Sequence, residues 1–337
     1  MDGFAREGFA DVWTPVAMAR EVGKRPLGVT LASVRIALFR DASGRVSALH
    51  DQCPHRGVKL SLGTVGKDGC LECPFHGWRF AGDGSCTHIP LNALSEEKRR
   101  RFGATTFPVR ERGGLIWLYT RPGAEAPDEP AVPEVLERPG VHVSLYAETW
   151  KAHWTRPMEN MLDAPHLPFV HRRTIGRALR ASITPESKME LEVHPTPTGF
   201  RTTWKMNDGR DSQGDLHWLR PNAMNLIIPI PKRLLSLFMW CIPVDEGHTR
   251  MLLVTARDFA TFPPVSTVLD RFNRRVLHED RATVESSAPS EVPPVSEEKS
   301  VGTDRATLAF RRWYLERKKQ VERAPEDGPR ELSPLAG

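Results

Sequence analysis

The sequence predicts an α+β chain of two domains, a small all-β domain followed by a larger domain that mixes strands and helices. Three observations predict this organisation. The first third contains short β-rich runs separated by glycine turns, a proline-rich stretch follows, and the remainder combines β-rich runs with helical segments. The length of 337 residues also suits two domains of about 150 residues each.

The first domain is assigned to residues 1–120 because short strands and tight turns alternate there. Residues 34–39 and 46–49 are β-rich and flank a turn that ends at Gly44, which is the pattern of a β-hairpin. Residues 115–119 form another apolar, β-rich run after a pair of glycines. A small all-β domain accounts for this pattern.

A proline-rich stretch over residues 121–140 is predicted to be a linker. Its five prolines alternate with acidic and small residues, and proline removes backbone donors and interrupts both helices and strands. The second domain is predicted over residues 141–322, and residues 323–337 are predicted to be a flexible tail. The helices expected in the second domain lie near residues 152–163, 265–285 and 303–320.

Composition narrows the class of protein. Apolar residues make up 39% and charged residues 26% of the chain, which excludes a disordered protein. A net charge of +5 is too weak to indicate nucleic acid as the main partner. Five cysteines in so long a chain favour a reducing compartment. The N-terminus lacks a signal-peptide pattern and the longest apolar run, residues 234–244, is too short to span a membrane, so a cytoplasmic protein without membrane insertion is expected.

Two short segments each contain one cysteine and one histidine. Cys53-x-His55 is separated by seventeen residues from Cys73-x-x-His76, and both segments lie on loops next to predicted strand ends. Two thiolates and two imidazoles can hold either zinc or a two-iron cluster. Zinc fingers usually place both cysteines in one knuckle, whereas here each loop supplies one ligand of each type. This mixed arrangement is typical of a Rieske [2Fe–2S] cluster, in which one iron takes both thiolates and the other both imidazoles; a zinc site is the alternative.

A second group of metal-ligand residues lies between residues 159 and 171. Asp163 and His166 are three residues apart and share a helix face if the turn stays helical. His166 and His171 are five apart, so a regular helix would point them in different directions. Pro165 and Pro168 interrupt the helix and allow the two imidazoles to converge. Two histidines and one carboxylate with open positions suit a non-haem Fe(II) site that activates dioxygen.

The third ligand of such a site is expected on the helix near residues 265–285. Asp280 falls on the same face as an apolar series at steps of four, formed by Val268, Phe272, Val276 and Val284. A carboxylate on a core face is costly unless it is paired or binds a metal. Asp280 is therefore the preferred ligand. Glu279, at the other edge of the series, remains a possible substitute, because helical phase alone does not decide between them.

The chain to about residue 320 resembles the α-subunits of Rieske non-haem iron oxygenases. The resemblance rests on the two cysteine–histidine loops, on Asn-x-x-Asp-x-x-His-x-x-x-x-His over residues 160–171, and on Glu-Asp-Arg-Ala-Thr-Val-Glu over residues 279–285. The length is similar to the compact branch of vanillate O-demethylase and dicamba monooxygenase oxygenase components. The resemblance implies an all-β Rieske domain joined to an α+β catalytic domain with one curved antiparallel sheet flanked by helices.

For the first domain, the resemblance implies one [2Fe–2S] cluster per chain, with Cys53 and Cys73 on one iron and His55 and His76 on the other. A glycine-rich dinucleotide fingerprint is missing from any strand–turn–helix context in the sequence. NAD(P)H and flavin are therefore expected on a separate reductase or ferredoxin, which donates the electrons. The basic run at residues 98–101 is either an attraction site for an acidic ferredoxin or, as we favour, a solvated helix face.

For the second domain, the resemblance implies one Fe(2+) per chain bound by His166, His171 and Asp280. It also implies that Asp163 bridges a cluster histidine of a neighbouring subunit to an iron-ligand histidine, which carries electrons across a homotrimer. A carboxylate beside an imidazole N–H fixes the orientation of the ring, which independently supports that role. Asn160 matches a position near the iron and is assigned with Asp163 to the catalytic residues.

The expected function is that of the terminal oxygenase of a multicomponent system. It uses O2 and external electrons to oxidise a C–H bond of a small hydrophobic or aromatic substrate, by monohydroxylation or oxidative demethylation. The alternatives are a Rieske electron carrier without mononuclear iron and a zinc-stabilised binding protein. Apolar residues that line either a substrate pocket or the sheet core are Trp218, Leu226, Ile228, Phe238 and Trp240.

Overall fold

A computed structural model of the chain describes residues 3–123, 125–211 and 214–323. The chain divides into two compact units, Met1–Glu137 and Arg138–Gly337. Apart from Arg323, the last residue of the final helix, the predicted tail over residues 323–337 lies outside the described residues. Every helix of the described ranges is too short or too polar to cross a lipid bilayer.

The part of the first unit that the structure describes consists of short antiparallel strands and two short helices, α1 (Gly3–Arg6) and α2 (Glu96–Arg100). The strands form sheets in the orders β1-β11-β10, β2-β3-β4-β9 and β5-β6-β7-β8. Their bounds are β1 Trp13–Met18, β2 Leu27–Leu31, β3 Val34–Arg40, β4 Val46–His50, β5 Thr64–Val65, β6 Leu71–Glu72, β7 Arg79–Phe80, β8 Cys86–His88, β9 Thr106–Phe107, β10 Val109–Arg112 and β11 Leu115–Tyr119.

The hairpin predicted around Gly44 is present as the antiparallel pair β3–β4. Gly44 has φ +83°, a left-handed conformation that residues with a Cβ rarely adopt, so the turn requires glycine there. Strand β11 is buried along its whole length, which explains why residues 115–119 form an uninterrupted apolar run.

The proline-rich segment was predicted to be a linker. The second half of this segment packs against the rest of the first unit. Trp13 Nε1 donates to the carbonyl oxygen of Asp128 at 3.1 Å, and the Arg110 guanidinium pairs with Glu129 at 2.9 Å. Leu136 is buried, and the Arg112 guanidinium pairs with Glu137, the last residue of the unit. The prolines thus prevent helix and strand formation in a segment that side-chain contacts hold in place.

Within its described residues, the second unit contains one seven-stranded antiparallel sheet in the order β12-β18-β17-β16-β15-β14-β13 and five helices. The strands are β12 His142–Trp150, β13 Met189–Thr196, β14 Gly199–Met206, β15 Asp215–Leu219, β16 Ala223–Ile227, β17 Leu235–Asp245 and β18 His248–Arg257. The helices are α3 Thr155–Leu162, α4 Leu167–Val170, α5 Arg177–Ser182, α6 Pro263–Glu285 and α7 Arg305–Arg323. The predicted fold class, an all-β unit followed by an antiparallel sheet flanked by helices, is confirmed.

Helices α3 and α7 lie on one face of this sheet. Strand register places Phe200, Trp218 and Met224 on the same face, because directly opposed residues point the same way. Trp218 packs edge-on against Phe310 of α7 at 5.6 Å between ring centroids. Helix α3 packs against α7 and against strands β15, β16 and β17. The same sheet face therefore supports both α3 and α7.

The apolar series that steps of four predicted on helix α6 is only partly buried. Val268 and Phe272 are 63% and 42% exposed, so the first half of the series does not face the core. The buried positions of α6 are Ser266, Leu277, Asp280 and Val284. Each step of four residues rotates about 40° past a full turn of the helix, so a series at steps of four drifts around it. The buried line instead advances by three and then four residues, from Leu277 to Asp280 and Val284. Asp280 is buried as expected, although the series that indicated it was partly wrong.

Candidate metal sites

The two cysteine–histidine loops have the same pattern of backbone hydrogen bonds. In each loop, the cysteine N–H donates to the carbonyl oxygen five residues later at 2.8 Å. Each cysteine carbonyl accepts from a glycine N–H, Gly57 at 2.9 Å from Cys53 and Gly77 at 3.0 Å from Cys73. Both glycines have positive φ, +72° and +67°, so the tight turn behind each cysteine requires glycine. Two matching loops thus present their ligand residues from similar turns.

The four side chains divide into a buried thiol pair and a more accessible imidazole pair. Cys53 and Cys73 are both 2% exposed, His55 is half-buried, and His76 is exposed. The two imidazole rings approach each other at 4.6 Å between centroids. A two-iron cluster held here would have its thiolate end inside the unit and its imidazole end facing outward.

The chemistry of these side chains fits a cluster. Burial raises the pKa of the Cys53 thiol to about 11, with a further contribution from neighbouring Cys73. At neutral pH such a thiol stays protonated unless a metal replaces the proton. The Nδ1 atom of His55 is buried and has no hydrogen-bond partner, as expected for an atom that binds a metal. Cys70, Cys86 and Cys241 are buried free thiols, in agreement with an ordinary packing role.

The second group of ligands is carried by an interrupted helical segment. Asp163 ends α3 in an extended conformation with ψ 114°, so the turn to His166 is not helical and the condition for a shared helix face is not met. The two residues nevertheless meet, because Asp163 Oδ2 accepts a hydrogen bond from the His166 N–H at 3.0 Å. The short helix α4 then separates His166 from His171 and has Pro168 in its first turn.

Three donor atoms converge at this segment. His166 Nε2 and His171 Nε2 are 3.3 Å apart, and Asp280 Oδ1 lies 3.5 Å from the first and 3.2 Å from the second. Asp280 Oδ1 is buried and accepts no hydrogen bond. Ligands about 2.1 Å from one ion and at right angles to each other are separated by about 3 Å. The three atoms therefore fit one face of a single metal ion, as in a 2-His-1-carboxylate site.

Glu279 lies at the other nitrogen of His171 and not among these three atoms. Its Oε2 is 3.0 Å from His171 Nδ1 and also accepts a hydrogen bond from Thr174 Oγ1 at 2.5 Å. Burial alone would lower the pKa of His171, but the carboxylates of Asp280 and Glu279 at its two nitrogens raise that pKa overall. The two carboxylates that raise this pKa would also favour a cation bound at the ring, because both attract positive charge.

The other two residues assigned to this site, Asp163 and Asn160, lie at the end of α3 and within it. Asp163 Oδ2 is 3.3 Å from His166 Nδ1, and about a quarter of the Asp163 side chain is exposed. Asn160 lies on α3 with its Nδ2 buried and without a hydrogen-bond partner. The amide thus has an unused donor, which suits a group that meets a bound molecule.

Buried ion pairs hold α3, the helix that leads to the histidines. Arg311 of α7 donates to both carboxylate oxygens of Glu159 at 2.8 and 2.9 Å. Glu298 accepts from Arg156 and from Arg311, in each case at 2.9 Å. Burial raises the pKa of Glu159, although the arginines oppose that shift. Sequence reasoning missed this network, because its members are far apart in the chain.

A row of half-buried apolar side chains lies on the helix-bearing face of the sheet. Leu216, Leu226 and Leu237 are directly opposed across β15, β16 and β17, and all three are half-buried. The next residue in this row, Thr255, accepts a hydrogen bond from Asn273 of α6 at 3.4 Å. The row therefore lies on the same sheet face as the helix that carries Asp280.

The other candidate pocket residues are placed differently. Trp218 belongs to the aromatic core against α7, and Phe238 and Trp240 stack on each other on the opposite sheet face. Of the five apolar candidates, Leu226 and Ile228 are half-buried on the helix-bearing side. The sequence does not reveal which strand residues are only half-covered, since that depends on the helices above them.

Fold and site together define an iron protein with a cluster domain and a separate mononuclear site. The Rieske [2Fe–2S] domain family matches residues 12–99, and the vanillate O-demethylase oxygenase C-terminal domain family matches residues 150–319. The chain belongs to the Rieske non-haem iron oxygenase α-subunits. Proteins of this family contain a [2Fe–2S] cluster and Fe(2+) and use O2 with electrons from a reductase, so the predicted family and cofactors are confirmed.

The individual relatives include a demethylase and a dioxygenase subunit, in agreement with the family assignment. Methylxanthine N1-demethylase NdmA from Pseudomonas putida is 28% identical over 93% of this chain and 90% of its own length. The 3-chlorobenzoate-3,4-dioxygenase oxygenase subunit of Comamonas testosteroni is 32% identical, but only 51% of this chain and 39% of the relative are matched. Several other curated relatives are likewise matched over about half of their length or less.

Solved structures match over almost the whole chain. Dicamba monooxygenase bound to dicamba has a TM-score of 0.77 at 25% identity and is covered over 98% of its length. NdmA of Pseudomonas putida CBB5 with caffeine has a TM-score of 0.78 at 25% identity and is covered over 93% of its length. Each alignment includes 94% of the present chain.

Proposed function

We propose that this chain is the terminal oxygenase component of a multicomponent Rieske system, in which O2 and external electrons oxidise a C–H bond of a small organic substrate. The observation that carries this proposal is the convergence of His166 Nε2, His171 Nε2 and Asp280 Oδ1 within 3.5 Å of one another. Such a ligand set leaves positions open on a ferrous ion. A pure electron carrier does not need a second metal site of this kind.

The residues of each site have distinct tasks. Cys53, Cys73, His55 and His76 would hold the cluster, and His166, His171 and Asp280 would hold the ferrous ion. When bound, the cluster stores an electron and the ferrous ion binds and activates O2. The carboxylate of Asp280 neutralises part of the ionic charge in a buried site, and the two rings keep their Nε2 atoms directed at one point.

We infer an apolar or aromatic substrate that lies along the helix-bearing sheet face. Leu216, Leu226 and Leu237 support this inference, because half-buried leucines offer apolar surface that the core does not use. Asn160, on the helix that leads to the histidines, supplies a buried hydrogen-bond donor, Nδ2, that has no partner. Among the possible outcomes, monohydroxylation and oxidative demethylation are the reactions we propose.

We propose that electrons arrive from a ferredoxin or flavin reductase and that the chain works as a homotrimer in the cytoplasm. The outward-facing imidazole of His76 and the partly exposed carboxylate of Asp163 support transfer between neighbouring chains. The five free cysteines support a reducing compartment. The basic helix α2 contributes less to partner binding, since Arg100 pairs with Glu96 of the same helix at 2.7 Å.

The test is iron and acid-labile sulfide per chain in anaerobically purified protein, together with an EPR spectrum of the reduced state. About three irons to two sulfides with a Rieske-type signal is expected. The His171→Ala variant serves as the matched control and should contain about two irons with the same signal. About two irons in the wild-type chain would instead favour the electron carrier, and a colourless zinc protein would contradict both readings.

Activity is tested on the same preparation. Wild-type protein with a donor reductase and a panel of aromatic and N- or O-methylated compounds should consume O2 and release a hydroxylated or demethylated product. The His171→Ala variant should still accept electrons at its cluster but should form no product. Product formation by this variant at the wild-type rate would contradict the proposed role of the histidine.

A further inference from the structure

We propose that Glu279 is a positioning residue for the mononuclear iron and that it acts by fixing the ring of His171. This inference rests on the proposed iron site and adds a residue that does not itself bind the ion. Glu279 and Asp280 are neighbours on α6, yet their carboxylates reach opposite nitrogens of one imidazole. Glu279 Oε2 is 3.0 Å from Nδ1, and Asp280 Oδ1 is 3.2 Å from Nε2.

The contact defines which nitrogen of His171 holds the proton. A carboxylate accepts a hydrogen bond and cannot donate one, so Glu279 keeps a proton on Nδ1. The lone pair of the neutral ring is then on Nε2, the atom that faces His166 and Asp280. Glu279 therefore prepares the ring for metal binding before the ion arrives.

Glu279 is itself fixed by two further groups. Thr174 donates its hydroxyl to the same Oε2 at 2.5 Å, only three residues after His171. Arg275, one helical turn before Glu279, places its Nε 3.8 Å from Oε1. The His171 side chain is 2% exposed and that of Glu279 is 19% exposed, so water competes little for the hydrogen bond. The carboxylate is thus contacted at both of its oxygens, by Thr174 at Oε2 and by Arg275 at Oε1.

The different lengths of their side chains explain why Glu279 and Asp280 have different tasks. The side chain of glutamate is one methylene longer than that of aspartate, and helix geometry rotates adjacent residues by about 100°. From this position the longer side chain reaches around to Nδ1, whereas the shorter side chain of Asp280 ends at Nε2. The order Glu-Asp at residues 279–280 therefore matters, and Glu279→Asp should be unable to reach the ring.

The test measures metal affinity and does not depend on turnover. Mononuclear iron is removed from the holoprotein with a chelator, and Fe(II) and Co(II) are then titrated back while the Rieske EPR signal and the Tm are recorded. Removing a carboxylate that supports a ligand histidine typically weakens metal binding by about 10- to 100-fold. We expect a loss in this range for Glu279→Ala and a loss near tenfold for Glu279→Gln, whose amide oxygen still accepts from Nδ1.

The matched control is Glu316→Gln, an exposed glutamate on α7, which should bind metal like the wild type. Thr174→Val should lose less metal affinity than Glu279→Ala. Thr174→Ser should bind metal like the wild type, because serine keeps the hydroxyl. If Glu279→Ala does not fold, the comparison of Glu279→Gln with Glu316→Gln decides the question. Unchanged affinity in the Glu279 variants, with a wild-type chain that binds metal, would overturn the positioning role alone. A wild-type chain that binds no metal at this site would overturn the proposed function and this inference together.

Discussion

Trp78 lies flat against His55, with 4.5 Å between the ring centroids and an interplanar angle of 5°. The indole belongs to the second cysteine–histidine loop and the imidazole to the first, so the contact joins the two loops directly. Phe102 packs edge-on against the other part of the indole at 5.6 Å. The stack therefore limits both the movement of the His55 ring and its contact with water.

Trp78→Ala should raise the reduction potential of the cluster by tens of millivolts. The reduced cluster is more negative than the oxidised one, and water that replaces the indole stabilises the more highly charged state. The potential is measured by an EPR-monitored redox titration of the whole protein. Trp78→Phe retains an aromatic ring and should stay closer to the wild type, whereas a potential that falls in Trp78→Ala would be at odds with this explanation.

Asp163→Asn should leave both metal centres in place and slow product formation strongly. The carboxylate is not one of the three converging donors, but it contacts both the backbone N–H and the Nδ1 of His166. An asparagine keeps an oxygen acceptor and loses the negative charge that stabilises the imidazole N–H. Iron content and the Rieske EPR signal report on the sites, and single-turnover product yield reports on electron transfer.

Two results for Asp163→Asn would count against the proposed bridge. Turnover near the wild-type rate would show that the charge is not needed for electron transfer between the metals. Loss of the mononuclear iron would show instead that Asp163 acts by holding His166. Asp245→Asn is a suitable control, because Asp245 also contacts a histidine, His248, at 2.8 Å, and that pair lies at the β17–β18 turn with both side chains about half exposed.

A chelator should remove the mononuclear iron while the cluster remains. The cluster ligands all come from residues 53–76, and both thiols are buried, whereas the ferrous site depends on residues from two distant segments. Visible absorption and EPR of the cluster should therefore persist, and substrate-dependent O2 uptake should stop and return when Fe(II) is added. Addition of Zn(II) should occupy the same three ligands without restoring O2 uptake. Simultaneous loss of both metals would contradict independent sites.

Local segments were predictable from the sequence where one short stretch of chain supplies the whole pattern. The cluster loops are examples, because Cys53 and His55 follow each other on one turn that Gly57 permits. The convergence of His166 and His171 was also predictable, since Pro165 lies in the break between α3 and α4, where a proline interrupts a helix. In these segments the sequence neighbours are also the spatial neighbours.

Contacts between distant segments were not predictable from spacing. Glu279 was considered only as a substitute ligand, because nothing in the sequence shows that His171, 108 residues earlier, turns its Nδ1 toward α6. The exposure of Val268 and Phe272 was missed because the sequence does not show how much of α6 other elements cover. The Glu159–Arg311 pair spans 152 residues and joins two helices whose packing no local pattern describes.

Arg311→Met should destabilise the protein by about 3–5 kcal/mol, because it leaves the buried Glu159 carboxylate without its main partner. The pair is almost inaccessible, with side-chain exposures of 6% for Arg311 and 11% for Glu159. A double variant, Arg311→Met with Glu159→Gln, should recover part of the loss, since it removes the uncompensated charge. The free energy of unfolding is compared by urea denaturation of holoprotein at matched metal content.

The destabilisation by Arg311→Met should increase as the pH rises. Burial raises the pKa of Glu159 above its ordinary value, and Arg311 opposes that rise, so the pKa rises further in the variant. A carboxyl group whose pKa is higher in the folded state binds more protons when folded, and its unfavourable contribution vanishes below the unfolded pKa. The loss of stability should therefore be small in acid, increase as the pH rises through the folded pKa of Glu159, and level off above it. A loss that is equal at pH values on both sides of this range would show that Arg311 stabilises α3 by packing alone.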